Sequence, residues 1–287
     1  MIPAAFEYVR AESVDHAVSA LAEHGDEAKV MAGGQSLLPL MRLRLATPEV
    51  VVDVGRLADL RGVREDGDAL VIGALTTHHE VMTNELVRQH ARLLAEVTAS
   101  VADPAVRHRG TFGGSLAHAD PAGDLPAAAL ALGVELVAQG PNGRRTIPAR
   151  DFFVDYLETA LSPDELLVEV RVPKLGSGWG FRYEKLHRVA QAWAIVGVAA
   201  AVRRVDGSIA EARIGLANMG PTPLRADAVE QALSGMDASS EAALVQAADR
   251  AAQGTTPPSD LSGQADYRRH LAQVLTRRAV RRAAGRS

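Results

Sequence analysis

The first half of the chain alternates between helical and strand patterns of apolar residues. Ser13 precedes Val14, Ala17 and Leu21, which share one face of a helix that would end at Gly25. A long amphipathic helix is predicted at residues 84–101, and a second at 124–133 with Asp124 as its N-cap. Short runs rich in β-branched residues predict strands at 29–32, 49–54, 69–74, 134–138 and 166–172.

The pattern changes after a glycine-rich segment at residues 174–180. Three strands are predicted in succession at 180–186, 193–204 and 208–219, with Asp206 and Gly207 as the hairpin turn between the last two. Helices at 227–233, 240–252 and 266–284 follow. This order predicts an α+β protein of two domains, residues 1–175 and 176–287.

The composition of the 287-residue chain excludes several kinds of catalytic, metal-binding and phosphate-binding site. It has no cysteine, which excludes disulfides, a thiolate nucleophile, a cysteine zinc site and any iron–sulfur cluster ligated by this chain. None of its three lysines completes a GxxxxGK[ST] phosphate loop. Neither a signal peptide nor a membrane-spanning run is evident. We therefore expect a cytoplasmic protein.

The C-terminal segment from Tyr267 onward contains seven arginines and no acidic residue. The whole chain carries a net charge of −4, so this segment leaves −11 for the rest. A basic helix on an acidic body could bind RNA, but a solvated arginine face or a subunit-docking helix is the favoured interpretation. No nucleic-acid partner is expected.

Two glycine segments carry the candidate chemistry. The first directly follows a predicted strand and consists of Ala32, Gly33, Gly34, Gln35 and Ser36. Paired glycines allow close approach to a ligand, and their successive amides can bind an anion such as a diphosphate without a lysine. A tight strand-to-helix turn is the alternative for this segment alone.

The second glycine segment lies 80 residues further on and contains Thr111, Gly113, Gly114 and Ser115. Asp124 follows and could accept hydrogen bonds from ribose or ribityl hydroxyls, cap the helix after it, or do both. Two such segments in one domain favour an extended cofactor over two unrelated turns. Neither matches GxGxxG, which disfavours a Rossmann fold.

Other polar constellations are weaker. The run His78, His79 and Glu80 stops short of HExxH and is interpreted as a helix cap or surface group. The basic run at 107–109 could face a phosphate or an acidic partner, or form a surface turn. The segment 113–117 is one residue short of GxSxG, so a hydrolase is the weakest enzyme hypothesis.

Four segments occur in the order found in one family: AGGQSLLPLMRLRLATP, DPAVRHRGTFGGSLAHADPAGDLPAAALALG, ELLVEVRVP and GFRYEKLHRVAQAW. The chain resembles the medium, FAD-binding subunits of molybdenum-containing hydroxylases, the xanthine dehydrogenase superfamily. Within it, the resemblance is greatest to the medium subunits of aerobic carbon monoxide dehydrogenases, and it covers essentially the whole length. The combination of both glycine motifs with YEKL is specific.

The resemblance implies a two-part FAD-binding domain of the vanillyl-alcohol-oxidase (PCMH) type at residues 1–175 and a smaller flavoprotein C-terminal domain at 176–287. It also implies the FAD-contacting residues, which lie in both glycine segments and at scattered later positions. They are Lys29, Ala32, Gly33, Gly34, Gln35, Ser36, Val101, Thr111, Gly113, Gly114, Ser115, Asp124, Leu166 or Leu167, Lys185 and Trp193. No catalytic residue and no metal site is expected in this chain.

Two positions depart from the carbon monoxide enzymes. Gln35 replaces a usual histidine, and Trp193 stands where a tyrosine lies by the flavin ring. Trp193 could stack on the ring or fill the domain interface. Lys185 matches a lysine near the isoalloxazine, where a cation would stabilise the negative charge gained on reduction.

The implied function is electron transfer in a molybdenum-containing carbon monoxide dehydrogenase. FAD in this chain would receive electrons from iron–sulfur clusters of a small partner subunit, fed by the molybdenum cofactor of a large one, and pass them to an acceptor such as a quinone. A dimer of heterotrimers is expected, at the inner face of the membrane through the complex. The same subunit in a hydroxylase of an N-heterocycle or aldehyde is the alternative, and a docking subunit without FAD is a further one.

Overall fold

A computed structural model describes residues 2–285 of the chain. Its helices are α1 Val14–His24, α2 Leu37–Leu43, α3 His78–Thr83, α4 Glu85–His90, α5 Arg92–Ala99, α6 Pro104–Arg107, α7 Phe112–His118, α8 Asp124–Leu132, α9 Ala149–Phe152, α10 Asp227–Leu233, α11 Glu241–Ala248 and α12 Ala265–Ala283. Its strands are β1 Glu7–Arg10, β2 Ala28–Met31, β3 Val50–Asp53, β4 Val63–Asp66, β5 Ala69–Gly73, β6 Glu135–Gly140, β7 Gly143–Pro148, β8 Phe153–Asp155, β9 Glu158–Thr159, β10 Leu166–Pro173, β11 Trp179–Leu186, β12 Val196–Val205, β13 Ser208–Ala217 and β14 Leu224–Arg225.

The N-terminal part begins with a parallel sheet of three strands in the order β1-β3-β2. Helix α1 connects β1 to β2. It begins where predicted, since the Ser13 side chain accepts a hydrogen bond from the His16 amide, and Gly25 ends it with φ of 51°. Its buried face, including Ala17 and Leu21, packs on the sheet. The first glycine segment directly follows β2, so the parallel sheet fixes its position.

A second sheet of five antiparallel strands has the order β4-β5-β10-β6-β7. Helices α3 to α8 lie between β5 and β6 in the chain and bury a large apolar core with this sheet. Helix α8 ends at Gly133 in a left-handed conformation, as predicted. The second glycine segment lies among these helices.

The C-terminal part is an antiparallel sheet in the order β11-β12-β13-β14, followed by α10 to α12. Strand β12 is buried on both faces: Val196 and Val198 pack with the C-terminal helices, whereas Ala199 packs with the N-terminal core. The close seat of α8 on this sheet depends on Gly215, where an added Cβ would lie 2.0 Å from the Ala127 carbonyl oxygen. The predicted α+β class is confirmed, with helix-covered sheets in both parts.

The arginine-rich helix is α12, whose apolar face packs on the C-terminal sheet. Arg268 is fully buried and donates to both oxygens of Asp260, at 2.7 and 2.8 Å. Arg282 pairs with Glu184 of β11. Arg268 therefore stabilises the fold and Arg282 links α12 to β11, while Arg286 lies outside the described residues. Within residues 2–285, no helix combines the length and apolar character that crossing a membrane requires.

Three predicted elements differ from the structure. The single helix at 84–101 is wrong, because Ala91 leaves the helical region with φ of −137° and separates α4 from α5. Asp124 is the first residue of α8 rather than its N-cap, which is Gly123. The strand predicted to start at Trp193 starts at Val196, after a loop.

Candidate functional site

A cleft of about 980 Å³ lies where the parallel sheet, the helices of the N-terminal core and β11 meet. It brings together most of the residues that the family resemblance implied. Thirteen of them line it: Lys29, Ala32, Gly33, Gly34, Gln35, Ser36, Val101, Thr111, Gly114, Ser115, Asp124, Lys185 and Trp193. Such a volume is at the upper end for sites of small organic ligands and cofactors.

Gly113, Leu166 and Leu167 lie outside the lining. An added Cβ on Gly113 would lie 2.5 Å from the Cβ of Ala74, so this glycine allows α7 to pack on the end of β5. The two leucines are buried on β10, a central strand of the five-stranded sheet, and pack in separate apolar clusters. Their roles in the structure are those of core residues.

The first glycine segment forms a sharp turn between β2 and α2. Gly34 has φ of 73°, a conformation that favours glycine, and its carbonyl accepts a hydrogen bond from the Leu38 amide in the first turn of α2. An added Cβ on Gly33 would lie 2.0 Å from the carbonyl oxygen of Arg109. Gly33 therefore allows the segment to lie directly against the turn that precedes the second glycine segment.

The second glycine segment is the first turn of α7 rather than a loop. Thr111 is its N-cap, and its hydroxyl accepts a hydrogen bond from the Gly114 amide at 3.1 Å. An added Cβ on Gly114 would lie 2.6 Å from that hydroxyl and 3.7 Å from the Cβ of Ala32. The two segments, far apart in sequence, thus meet at the cleft.

A buried charged cluster joins the two parts of the protein at the cleft. The Asp124 carboxylate accepts from Lys185 Nζ at 2.8 Å and from the Tyr183 hydroxyl at 2.5 Å. Lys185 also donates to the Ser100 carbonyl at 3.3 Å. The side chains of Asp124 and Lys185 are only 5 and 6% exposed. Both carboxylate oxygens of Asp124 are therefore bonded to donors on β11.

Burial has the largest effect on the pKa values of the acidic groups in this cluster. It raises the pKa of Asp124, against the opposing effects of Lys185 and Tyr183. Burial and the neighbouring carboxylate also raise the pKa of Tyr183 well above its ordinary value, so the phenol stays protonated and donates to Asp124. The ion pair leaves little net charge at this end of the cleft.

Tyr183 is the first residue of the YEKL motif, but it was not among the residues expected to contact FAD. Its ring fits beside β12 because position 197 is glycine: an added Cβ there would lie 2.4 Å from the Tyr183 hydroxyl. Trp193, in contrast, lies in the loop between β11 and β12 and is 57% exposed. It lines the cleft together with Gln191 and Ala192.

The neighbouring residues His78 and His79 lie in different environments. His79 stacks on His108 with ring centroids 4.0 Å apart, whereas His78 is only 4% exposed and borders the cleft. The surface interpretation is therefore wrong for His78. The predicted cap is confirmed: Glu80 and Thr77 form a reciprocal capping box at the start of α3.

Arg107 donates to the carbonyls of Val101 and Ala102 at 2.7 and 2.9 Å, so it holds a turn at the cleft.

Stability is expected to depend on the protonation of His78. Burial, assisted by the positive charge of Arg107, lowers the pKa of His78 to about 4, whereas an unfolded histidine titrates near 6.5. Because the unfolded chain takes up this proton first, the free energy of unfolding is highest above about pH 6.5 and falls as the pH decreases towards 4. Urea unfolding from neutral pH to pH 4 should show the wild type losing about 3 kcal/mol more than His78→Leu. Equal losses would contradict this environment.

Comparison with known proteins matches both parts of the chain. The profile of the FAD binding domain in molybdopterin dehydrogenase matches residues 4–175, and that of the CO dehydrogenase flavoprotein C-terminal domain matches residues 181–283. The carbon monoxide dehydrogenase medium chain of Hydrogenophaga pseudoflava is 43% identical over 280 residues, which cover 98% of this chain and 97% of that one.

Solved structures agree with these matches. A structure of carbon monoxide dehydrogenase from Hydrogenophaga pseudoflava, in a form that lacks the Mo-pyranopterin moiety of the molybdenum cofactor, superimposes with a TM-score of 0.96. That chain is 44% identical, with 99% of both chains covered. Quinoline 2-oxidoreductase from Pseudomonas putida superimposes with a TM-score of 0.93 at 34% identity, also with 99% of both chains covered.

Proposed function

The chain belongs to the family of FAD-binding medium subunits of carbon monoxide dehydrogenase and related molybdenum-containing dehydrogenases, and on that premise we propose that it transfers electrons within such an enzyme complex. The observation that carries the proposal is the convergence of two distant glycine segments and a buried ion pair on one large cleft. The protein is accordingly a subunit of an oxidoreductase, with the oxidation of substrate carried out elsewhere in the complex.

The residues of the cleft fit FAD. Close-packed glycine backbone at Gly33 and Gly114 leaves room for a diphosphate, and the polar side chains of Gln35 and Ser36 line the same segment. Asp124 and Lys185 supply a charged pair at β11, and the ring of Trp193 borders the opening. The volume suits a dinucleotide held in an extended form.

When bound, FAD supplies the redox chemistry, taking up electrons from iron–sulfur clusters of a partner and releasing them to an external acceptor such as a quinone. The residues of this chain bind and orient it. Tyr183 and Asp124 hold Lys185 in place, so its ammonium stays at the cleft wall. With no cysteine in the chain, every cluster-ligating thiolate has to come from a partner.

The proposed partners are a small iron–sulfur subunit and a large molybdenum subunit, in a dimer of heterotrimers. The complex is cytoplasmic and meets its quinone acceptor at the inner face of the membrane. Its proposed substrate is carbon monoxide, supported by the likeness of both parts of the chain to carbon monoxide dehydrogenase. Oxidation of an N-heterocycle is the second candidate, favoured by the likeness to quinoline 2-oxidoreductase; an aldehyde is a further one.

The substrate is tested on the complex purified with its natural partners under anaerobic conditions. Carbon monoxide should bleach the visible flavin absorption of this chain, and a quinone should restore it. Bleaching by quinoline or by an aldehyde, with no response to carbon monoxide, would make an N-heterocycle or an aldehyde, respectively, the proposed substrate instead. A flavin that responds to none of these substrates, although dithionite bleaches it, would overturn all three proposed substrates.

A further inference from the structure

His78 lies directly behind the two glycine segments. Its ring contacts Gly110, where an added Cβ would lie 2.9 Å from His78 Cδ2 and 3.0 Å from Nε2. Gly110 precedes Thr111, the N-cap of the second glycine segment, and the neighbouring Arg109 carbonyl contacts Gly33 of the first. The His78 amide donates to the Gly110 carbonyl at 2.9 Å, which fixes this arrangement. His78 is thus packed against both segments that line the cleft.

The imidazole of His78 is not satisfied by the protein. Its Nδ1 is buried and has no hydrogen-bond partner among the described residues. Two other buried side-chain atoms share this condition, Thr276 Oγ1 and Arg281 Nε, but both belong to α12, away from the cleft. Buried polar atoms are nearly always hydrogen-bonded, so the unpaired atom of a side chain that borders the cleft is accounted for by a partner outside the chain, such as an ordered water or a bound ligand.

The charges around His78 determine what its ring can bind. Arg107 of α6 disfavours a positive charge on the ring. The carboxylate of Glu80 accepts hydrogen bonds from the amide and the hydroxyl of Thr77, so it is already paired. The uncharged imidazole has one donor and one acceptor nitrogen. It therefore suits an uncharged polar group, such as a hydroxyl, better than a phosphate.

We propose that His78 is a further FAD-binding residue, whose uncharged imidazole forms a hydrogen bond with a hydroxyl or carbonyl group of the cofactor. This inference rests on the proposed function, because it assigns a partner within the same cleft. It also explains why a polar side chain occupies a position that an apolar one of similar size would fill without an unpaired atom.

The test uses the full chain freed of FAD and titrated with FAD, with the apoprotein's melting temperature measured in parallel. His78→Leu should weaken FAD binding about tenfold and raise the melting temperature of the apoprotein, because it removes both the bond and the unpaired atom. His78→Asn and His78→Gln place an amide near Nδ1 and Nε2, respectively, and the variant that matches the bonded nitrogen should recover most of the affinity. His79→Leu is the matched control and should change neither measurement.

The outcomes separate this inference from the proposed function. Wild-type chain that binds no FAD would contradict the proposed function itself. Wild-type chain that binds FAD with the same affinity as His78→Leu would overturn the role of His78 alone. A lower melting temperature in His78→Leu, with equal loss of affinity in all three His78 variants, would show a purely structural residue and would also overturn it.

Discussion

Replacing Gly114 by valine should abolish FAD binding while leaving most of the fold intact. A Cβ at this position lies 2.6 Å from the Thr111 hydroxyl and 3.7 Å from the Cβ of Ala32, so a branched side chain displaces the cap of α7 and fills the cleft between the two glycine segments. Loss of such a cap costs about 1 kcal/mol, which a domain of this size tolerates, whereas the blocked cleft leaves no room for the cofactor. The measurement is the flavin content of the purified chain.

The matched control for this experiment is Gly176→Val. Gly176 has no positive φ and no heavy atom within 4 Å of an added Cβ, and it lies outside the cleft. This variant should retain the flavin content and melting temperature of the wild type. Normal flavin content in Gly114→Val would show that the second glycine segment does not face the cofactor.

Replacing Lys185 by methionine should have two effects of different origin. The ammonium lies 2.8 Å from a carboxylate that is almost fully buried, so its removal leaves an uncompensated charge and lowers the free energy of unfolding by about 3–5 kcal/mol. It also removes a cation from the wall of the cleft. Because reduction adds negative charge to the flavin, its midpoint potential should fall by tens of millivolts, since one charge is worth about 1–4 kcal/mol in such a site.

Two further variants separate these effects. Asp124→Asn combined with Lys185→Met removes both charges, so stability and potential should both return towards the wild type. Lys174→Met breaks a lysine–carboxylate contact of 3.1 Å to Glu65 on the surface and should change neither by more than the small value of an exposed pair. An unchanged potential in Lys185→Met with full FAD content would remove Lys185 from redox tuning.

Local signals in the sequence predicted most of the elements that frame the cleft. Ser13 and Gly133 act as the predicted helix boundaries because capping is a local hydrogen-bond and backbone effect. Asp206 and Gly207 both have positive φ, 49° and 84°, as the predicted hairpin turn requires. Strands rich in β-branched residues, such as β3, lie within a residue or two of their predicted bounds.

Features that depend on long-range packing escaped prediction. Glycine disfavours helices, yet Gly113 and Gly114 lie in the first turn of α7, where Ala74 and Thr111 leave no space for larger side chains. The break at Ala91 contains neither glycine nor proline and has no local signal. Strand β1, mostly exposed, is recognisable only through its pairing with β3.

In the candidate site, too, local features could be predicted from the sequence and long-range contacts could not. The family resemblance implied Asp124 and Lys185 separately, but their pairing across 61 residues and the bond from Tyr183 are visible only in the folded chain. His78 was assigned to a cap or the surface because its neighbours, Thr77 and Glu80, form a capping box. Only burial of its ring against Gly110 separates it from His79.

The central claim is that this chain binds FAD in the cleft formed by the two glycine segments and the Asp124–Lys185 pair. It is tested most directly by the FAD stoichiometry of the purified full chain, measured from visible flavin absorption before and after saturation with FAD and removal of the excess. We predict one FAD per chain in the wild type and none in Gly114→Val. A wild-type chain that stays colourless after saturation, or a Gly114→Val chain with the same flavin content as the wild type, would contradict it.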